Sequence, residues 1–224
     1  VKRHSFPTRR SSDLPQIVHF TEAGVPFAAD VGSGQKTGTY LDLRGLRSAV
    51  AALPLAGKRV LNLFSYTGML ARCAERAGAN YIVQVDASAT ALAFAQAHHC
   101  DEAARHAFIT ADIFTWLYQH HETYDLVIVD PPAMTSRREQ VPAVLATYRR
   151  MYQHARDLVA PGGTLIAACC TGRITRSEFT ATVTKALGGA THFAPPTTVP
   201  PQLDHPVGFD QADYLKILQF KRHD

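Results

Sequence analysis

From residue 58 onward, short β-rich runs, several of them apolar without alternation, alternate with longer stretches in which apolar side chains recur every three or four positions. Unbroken apolar runs are what strands buried on both faces require, and the three-to-four step marks helices that lay one side on a core. Strands are predicted at residues 59–64 (RVLNLF), 81–86 (YIVQVD), 107–110 (AFIT), 124–130 (YDLVIVD), 163–170 (GTLIAACC), more weakly 191–199 (THFAPPTTV), and 213–221 (DYLKILQFK). Helices are predicted over 68–79 and 88–99, the second opened by Ser88 as N-cap. A third follows Val144, Tyr148, Met151, Tyr152, Ala155 and Leu158 until APGG stops it. Strand and helix in alternation predict an α/β fold with a mostly parallel sheet covered on both faces. The last two strands have no helix between them and are expected to pair as an edge hairpin, and residues 17–31 read as a second hairpin turning at 22–24.

Composition narrows this picture. With 224 residues and 46% hydrophobic side chains, the chain can close one sizeable core. No apolar stretch approaches the roughly 20 residues that span a bilayer, so a soluble, cytoplasmic protein with no membrane partner is expected. Four cysteines, two of them adjacent, make a poor disulfide framework and read as reduced thiols. The net charge of +4 suggests nucleic acid, yet residues 4–14 (HSFPTRRSSDL) resemble the conceptual translation of a common sequencing-adapter oligonucleotide. Without residues 1–14 the balance is 19 basic against 18 acidic. That segment is set aside as non-native, and the natural chain is expected to extend upstream of Pro15; the competing reading is a disordered basic arm touching phosphates. Residues 15–45 are then a hairpin with a covering segment, and 46–224 the main domain.

In a doubly wound sheet, ligands sit beyond the carboxyl ends of the strands, so the residues just after each strand carry the chemistry. These are Ser65-Tyr66-Thr67-Gly68, Asp86, Asp112, Asp130-Pro131-Pro132 and Cys169-Cys170. The turn ending in Gly68 offers backbone amides to an anionic or carboxylate-bearing group, and Asp86, about 18 residues further on, stands where an acid accepts ribose hydroxyls. Taken singly, each has a plainer reading. Gly68 fits an ordinary strand-to-helix turn, Asp86 and Asp112 fit helix caps, and Cys170 fits an inert buried thiol. Asp130 followed by two prolines is harder to dismiss, since neither proline can donate to a ladder and the acid is left on a rigid lip. The pairs His98-His99-Cys100 and His120-His121 do not predict a metal site, because neighbouring side chains on a helix point apart and no CxxC partner exists.

At these positions the chain resembles class I S-adenosylmethionine-dependent methyltransferases, specifically the bacterial 23S rRNA cytosine-5 methyltransferases of the large subunit. The stretches that carry the likeness are DVGSGQKTGTYLDLR (30–44), RVLNLFSYTG (59–68), VDAS (85–88), YDLVIVDPPA (124–133), LVAPGGTLIAACCTG (158–172) and DHPV with YLK (204–216). The resemblance implies a Rossmann-like seven-stranded sheet with an antiparallel C-terminal strand after an N-terminal β-hairpin. It implies S-adenosyl-L-methionine as cofactor: Phe64, Ser65, Tyr66, Thr67 and Gly68 at its methionine part, Asp86 with Ser88 at the ribose, and Asp112 at the adenine amino group. Tyr40, Asp42 and Arg44 would cover the methionine end, and Asp130 with Pro131 would complete the pocket. Asp130 would also hold the cytosine, and Cys170 would be the nucleophile, whereas Cys169 replaces a small polar residue. The chain departs from the pattern at Leu43, where glutamine is usual, and at Met69, which replaces a second glycine.

Carbon 5 of cytosine is a weak nucleophile until a thiolate adds to carbon 6. The Cys170 thiol is therefore expected to be acidified by helix N-termini and by Arg173 or Arg176. A second base must remove the carbon-5 proton; His205 is a candidate from its loop position, with a structural histidine as the competing reading. Arg137, Arg138, Arg173 and Arg176 would line the rim for a phosphate backbone. The implied partner is RNA, 23S rRNA in naked or partly assembled form, because the target base must leave its stack. In the family an RNA-binding domain precedes the catalytic part, and weak or mis-targeted RNA binding is expected here. Competing readings are methylation of an exocyclic base nitrogen, which needs no cysteine, and an inactive cofactor-binding or RNA-binding fragment. A nicotinamide dehydrogenase is disfavoured, since FSYTG lacks the glycines a pyrophosphate requires.

Overall fold

The computed structural model describes residues 16–200, 202 and 213–224. Two compact units divide between Leu41 and Asp42. In the first, β1 (Ile17–Glu22) and β2 (Val25–Asp30) pair antiparallel with Glu22 opposite Val25. Ala23 and Gly24 both take positive φ, 50° and 81°, the backbone that joins two twisted strands in the fewest residues. Across the ladder Phe20 and Phe27 pack with ring centroids 5.7 Å apart. Asp30 closes the open end by accepting from the Gly32 and Ser33 amides and the Ser33 hydroxyl, bonds that hold its carboxyl below the usual range.

The second unit is a seven-stranded sheet built from β3 (Arg59–Leu63), β4 (Tyr81–Asp86), β5 (His106–Thr110), β6 (Tyr124–Val129), β7 (Val159–Cys169), β8 (Thr197–Thr198) and β9 (Lys216–Lys221). Its spatial order is β5-β4-β3-β6-β7-β9-β8, with β9 antiparallel to both neighbours and the other pairs parallel. The chain runs outward through β4 and β5, then returns to lay β6 on the other side of β3. That reversal puts the carboxyl ends of β3 and β6 at a topological switch point, where open α/β sheets bind ligands.

Period two along the strands sorts the side chains. Leu61, Leu63, Val83, Val85, Val127, Val129, Leu165, Ala167 and Cys169 share a core with residues of α4 (Ile113–Gln119), α5 (Val141–Asp157) and α6 (Arg176–Ala186). The alternate positions, Val60, Ile82, Leu126, Ile128 and Ile166, are equally buried on the opposite face. That face belongs with α1 (Arg44–Ala51), α2 (Met69–Arg76) and α3 (Ala89–His98). Each such side chain contributes roughly 1.5–3 kcal/mol on leaving water. The hairpins and the alternation match expectation. Three helices were not predicted: α1 and α4 are short, at eight and seven residues, and α6 carries only a weak apolar stripe. β7 begins at Val159 rather than at residue 163, because the register slips between Tyr124 and Leu126 and absorbs Pro161-Gly162-Gly163 as a bulge. The expected strand at 191–199 shrinks to Thr197–Thr198 plus a single bridge from Phe193 to Arg222, since Pro195 and Pro196 cannot donate ladder bonds.

Candidate active site

The loop after β3 is tightly specified. Phe64, Tyr66 and Gly68 all take positive φ, at 59°, 48° and 76°, and for the two aromatic residues that backbone is strained. Asp86 holds the conformation: one carboxylate oxygen accepts the Tyr66 amide at 2.8 Å and the other the Ser88 amide at 2.8 Å. Buried His99 donates Nδ1–H to the Thr67 carbonyl, fixing the loop from α3's end. Gly68 has no room for a side chain, since a Cβ there would lie 2.6 Å from Gln84 Oε1 and 2.8 Å from Ala95 Cβ. Ser88 caps α3 through the Ala91 amide, and Asp112 caps α4 through the amide and hydroxyl of Thr115, which lower its pKa.

The two adjacent cysteines separate by the same alternation. Cys169 faces the core, where the Tyr148 hydroxyl lies 3.5 Å from its sulfur. Cys170, one residue past the strand, emerges on the other face, half-buried, with its thiol 3.7 Å from the Pro131 carbonyl. Asp130 precedes that proline and shares the face with Ile128. Burial, and then the Asp42 carboxylate, push Asp130 up to about 7. The thiol thus packs against the Asp130-Pro131 lip, close enough for the carboxylate to act on it.

The loops after β6 and β7 are stitched together. The Met134 amide donates to Thr171 Oγ1 at 3.2 Å, Arg173 Nε to the Ser136 carbonyl at 3.0 Å, and Arg138 Nη1 to the Arg173 carbonyl at 2.6 Å. From β9, buried Lys216 sends Nζ to the carbonyls of Thr171 and Ile174 at 2.9 and 2.8 Å. These bonds overturn one expectation. Arg173 and Arg176 do not acidify Cys170, because Arg173 caps the neighbouring loop and Arg176 pairs with Asp213 at 2.5 Å. Burial, then the Asp130 carboxylate and Cys169, instead push the Cys170 thiol up to about 12. A thiolate can form here only as its proton is handed to a neighbour.

Sequence reasoning also missed Tyr214, whose hydroxyl donates to Asp42 Oδ2 at 2.5 Å. Burial, then this bond, raise its pKa. The signal was the YLK stretch itself, which carries both Tyr214 and Lys216. Cys100 meets not the adjacent histidines but Glu75 and His106, whose ligand atoms all lie within 4.8 Å of one another. Glu75 there already accepts the amides of Asp101 and Glu102, so the cluster works as a loop clamp. Of the residues expected at the cofactor, 64–68, Asp86, Ser88 and Asp112 lie after β3, β4 and β5, while Asp130 and Pro131 follow β6. Asp42 and Arg44 open the second unit, with Asp42 beside Tyr214, and Tyr40 ends the first unit, its hydroxyl 3.4 Å from Gln35 Oε1. His205 lies outside the described residues. Arg137 and Arg138 are exposed as expected.

Residues 10–221 match the family model described as S-adenosylmethionine-dependent methyltransferase. The chain belongs to that family. This methyltransferase is 34% identical over 216 residues to a ribosomal RNA large subunit methyltransferase of Deinococcus radiodurans, covering 90% of the chain and 51% of the relative. It is 35% identical over 206 residues to ribosomal RNA large subunit methyltransferase I of Aeromonas salmonicida, covering 88% and 52%. The chain thus spans about half the length of the curated relatives it matches. Among solved structures, a candidate SAM-dependent methyltransferase from Streptococcus mutans superposes with TM-score 0.80 at 28% identity, over 93% of this chain and 56% of that one. A candidate methyltransferase solved in complex with SAH gives TM-score 0.78 at 28% identity, over 93% and 57%.

The family's cofactor is S-adenosylmethionine, and the loop after β3 fits a polar ligand. Ser65 Oγ is buried with no hydrogen-bond partner among the described residues, an orphan that a bound polar group or water would satisfy. No helix among the described residues is long and apolar enough to cross a membrane.

Proposed function

We propose that this methyltransferase acts on large-subunit ribosomal RNA and forms 5-methylcytosine in 23S rRNA through a covalent Cys170 adduct. The observation that carries the reading is the juxtaposition of the Cys170 thiol with the Asp130-Pro131 lip, on the face of the sheet that also bears Asp86. The names of the relatives support the RNA class, and exposed Arg137 beside the lip suits a phosphate backbone, whereas Arg138 is held by the Arg173 carbonyl and Glu178.

Phe64, Ser65, Tyr66, Thr67 and Gly68 with Asp86, Ser88 and Asp112 would hold the cofactor, and Tyr40, Asp42, Arg44, Asp130 and Pro131 would complete its surroundings. When bound, S-adenosylmethionine supplies an electrophilic methyl group. The protein's part is to make carbon 5 nucleophilic. With the thiol near 12 and Asp130 near 7, the pair at neutral pH holds its proton on sulfur. As the sulfur adds to carbon 6, that proton passes to the Asp130 carboxylate and on to nitrogen 3, which would otherwise become anionic. Carboxyl and thiol are each half-buried, which limits the access of water to the relay.

The test is methyl transfer to a large-subunit rRNA transcript by the parent enzyme, Cys170→Ala and Cys169→Ala, with cofactor affinity measured alongside. Cys170→Ala should bind cofactor and transfer nothing, and Cys169→Ala should turn over. Full turnover in Cys170→Ala refutes the covalent route and supports methylation of an exocyclic nitrogen instead.

A further inference from the structure

The covalent route leaves one proton unassigned. Once carbon 5 carries the new methyl group, its hydrogen must be removed before Cys170 can leave, and Asp130 is occupied at nitrogen 3. Carbon 5 is bonded to carbon 6, where the sulfur is attached. The missing base must therefore reach the Cys170 side of the ring.

We propose that the Tyr214–Asp42 pair is that base, a proposal that rests on the cytosine-5 reading above. The placement follows from the sheet. β9 runs antiparallel to β7 with Lys216 opposite Cys169, so the chain just before β9 comes alongside the loop just after β7. Tyr214 packs there: a Cβ added to Gly172 would sit 3.6 Å from Tyr214 Cβ. Its hydroxyl is joined at 2.5 Å to Asp42, 172 positions away in sequence. Asp42 enters from the segment before α1. Charge ties the groups together: the Asp42 carboxylate is felt by both Asp130 and Cys170, and Cys170 by Tyr214. The cations that flank Cys170 and Tyr214 in the chain have other partners, Arg173 the Ser136 carbonyl, Arg176 Asp213 and Lys216 the carbonyls of Thr171 and Ile174. The phenol thus stands between the Asp42 carboxylate and the Cys170 side, the geometry of a relayed proton acceptor.

The step balances. Tyr214 Oη takes the proton from carbon 5 as its own hydroxyl proton passes to Asp42. The electron pair of the broken C–H bond forms the C5–C6 double bond, and the pair of the C6–S bond leaves with Cys170 as thiolate. Nitrogen 3 returns its proton to Asp130. Asp42 then loses its proton to solvent, and the thiolate is reprotonated.

The experiment uses the full chain in excess over a large-subunit rRNA transcript with methyl-labelled S-adenosylmethionine. Asp42→Asn and Tyr214→Phe should accumulate a methyl-labelled RNA–protein adduct stable in SDS, with release slowed about 10²–10⁴-fold. On a transcript containing 5-fluorocytosine, where no proton can leave carbon 5, Tyr214→Phe should form adduct within about twofold of the parent rate, because addition and methylation do not use the phenol. Either of two results overturns the proposal: turnover at the parent rate in both variants, or adduct formation on the fluorinated RNA falling as far as turnover does, which would make the pair a positioning device. Full turnover in Cys170→Ala, or no methyl transfer by the parent enzyme, removes the cytosine-5 reading beneath it and is recognised independently of either variant.

Discussion

Replacing Asp130 by asparagine should stabilise the protein while removing its activity, and the gain should depend on pH in a defined way. An aspartate free in an unfolded chain ionises at about 3.8, whereas burial and the Asp42 carboxylate hold it near 7 in the fold. The folded state therefore binds this proton more tightly than the unfolded state, and stability falls as pH rises from about 4 to about 7. Three pH units at about 1.36 kcal/mol each put the full cost near 4 kcal/mol above neutrality. The cost is about 1.7 kcal/mol at pH 5, where the unfolded chain is already ionised, so the window from pH 5 to pH 8 spans about 2.6 kcal/mol. Asp130 is half-buried by surface area, and solvent screening brings the expectation to about 1–2.5 kcal/mol. Urea unfolding of parent and Asp130→Asn at pH 5 and pH 8 measures it directly, since the amide cannot titrate. The difference in stability between the two proteins should widen toward pH 8 by that amount and level off above pH 7. A difference that is constant with pH, or one that widens toward acid, would refute the assignment of Asp130 as a destabilised carboxylate.

The same pair of groups fixes the pH dependence of the reaction. If the Asp130 carboxylate receives the thiol proton, kcat/KM for methyl transfer should rise through about pH 7 and stay level to at least pH 9, since the thiol does not ionise until about 12; a fall through pH 7 would mean that the protonated acid is required. Gly68→Ala forces a Cβ to within 2.6 Å of Gln84 Oε1 at φ 76° and should cost about 1–3 kcal/mol, read as a lower Tm together with weaker cofactor binding by calorimetry. Lys216→Met leaves the carbonyls of Thr171 and Ile174 unpaired and should cost about 1.5–3 kcal/mol, or about 2–4 °C in Tm for each kcal/mol, with faster proteolysis at residues 171–175; an unchanged Tm would show that the lysine's burial cost cancels its bonds.

The parts of the molecule legible in the sequence were those that a repeating physical constraint writes into consecutive residues. Runs dominated by apolar residues on both faces gave β3, β4 and β6, in spite of buried Asn62 and Gln84, and Ser88 gave the start of α3. α6 was equally legible in principle: Thr175 and Glu178 form a capping box, with each side chain on the other's backbone amide, but the short TRSE signature lies inside a loop already read for its arginines. What could not be read is pairing over long separations. Nothing near Arg173 in the sequence says that it will spend its guanidinium on Ser136, and nothing near Tyr214 points to Asp42. The acidification expected of Cys170 failed for that reason. Proximity along the chain placed arginines beside the cysteine, whereas folding gave each of them a nearer acceptor.

The strain and burial at this rim are not what stability alone would select. Phe64 and Tyr66 in left-handed backbone and a carboxyl held near 7 each cost folding free energy at neutral pH, and with the Cys170 thiol they lie after β3, β6 and β7, adjacent strands of one sheet. Elsewhere the fold avoids such costs: Cys169 is sheathed in apolar side chains, and Glu75 has its carboxylate filled with backbone amides. A thiol that is hard to ionise beside a carboxyl that is easy to protonate makes an inert pair in the resting protein. In the proposed reaction it would become reactive only when an acceptor such as nitrogen 3 completes the relay. The raised thiol pKa, contrary to the acidified thiol first expected, then protects Cys170 from oxidation between turnovers, since the thiolate is the species that oxidants attack. Hydrogen peroxide at neutral pH should therefore inactivate the parent enzyme no faster than it oxidises an ordinary buried cysteine, and Asp130→Asn, which removes a negative neighbour, should react faster. Equal rates in the two proteins would show that the carboxylate does not govern the sulfur.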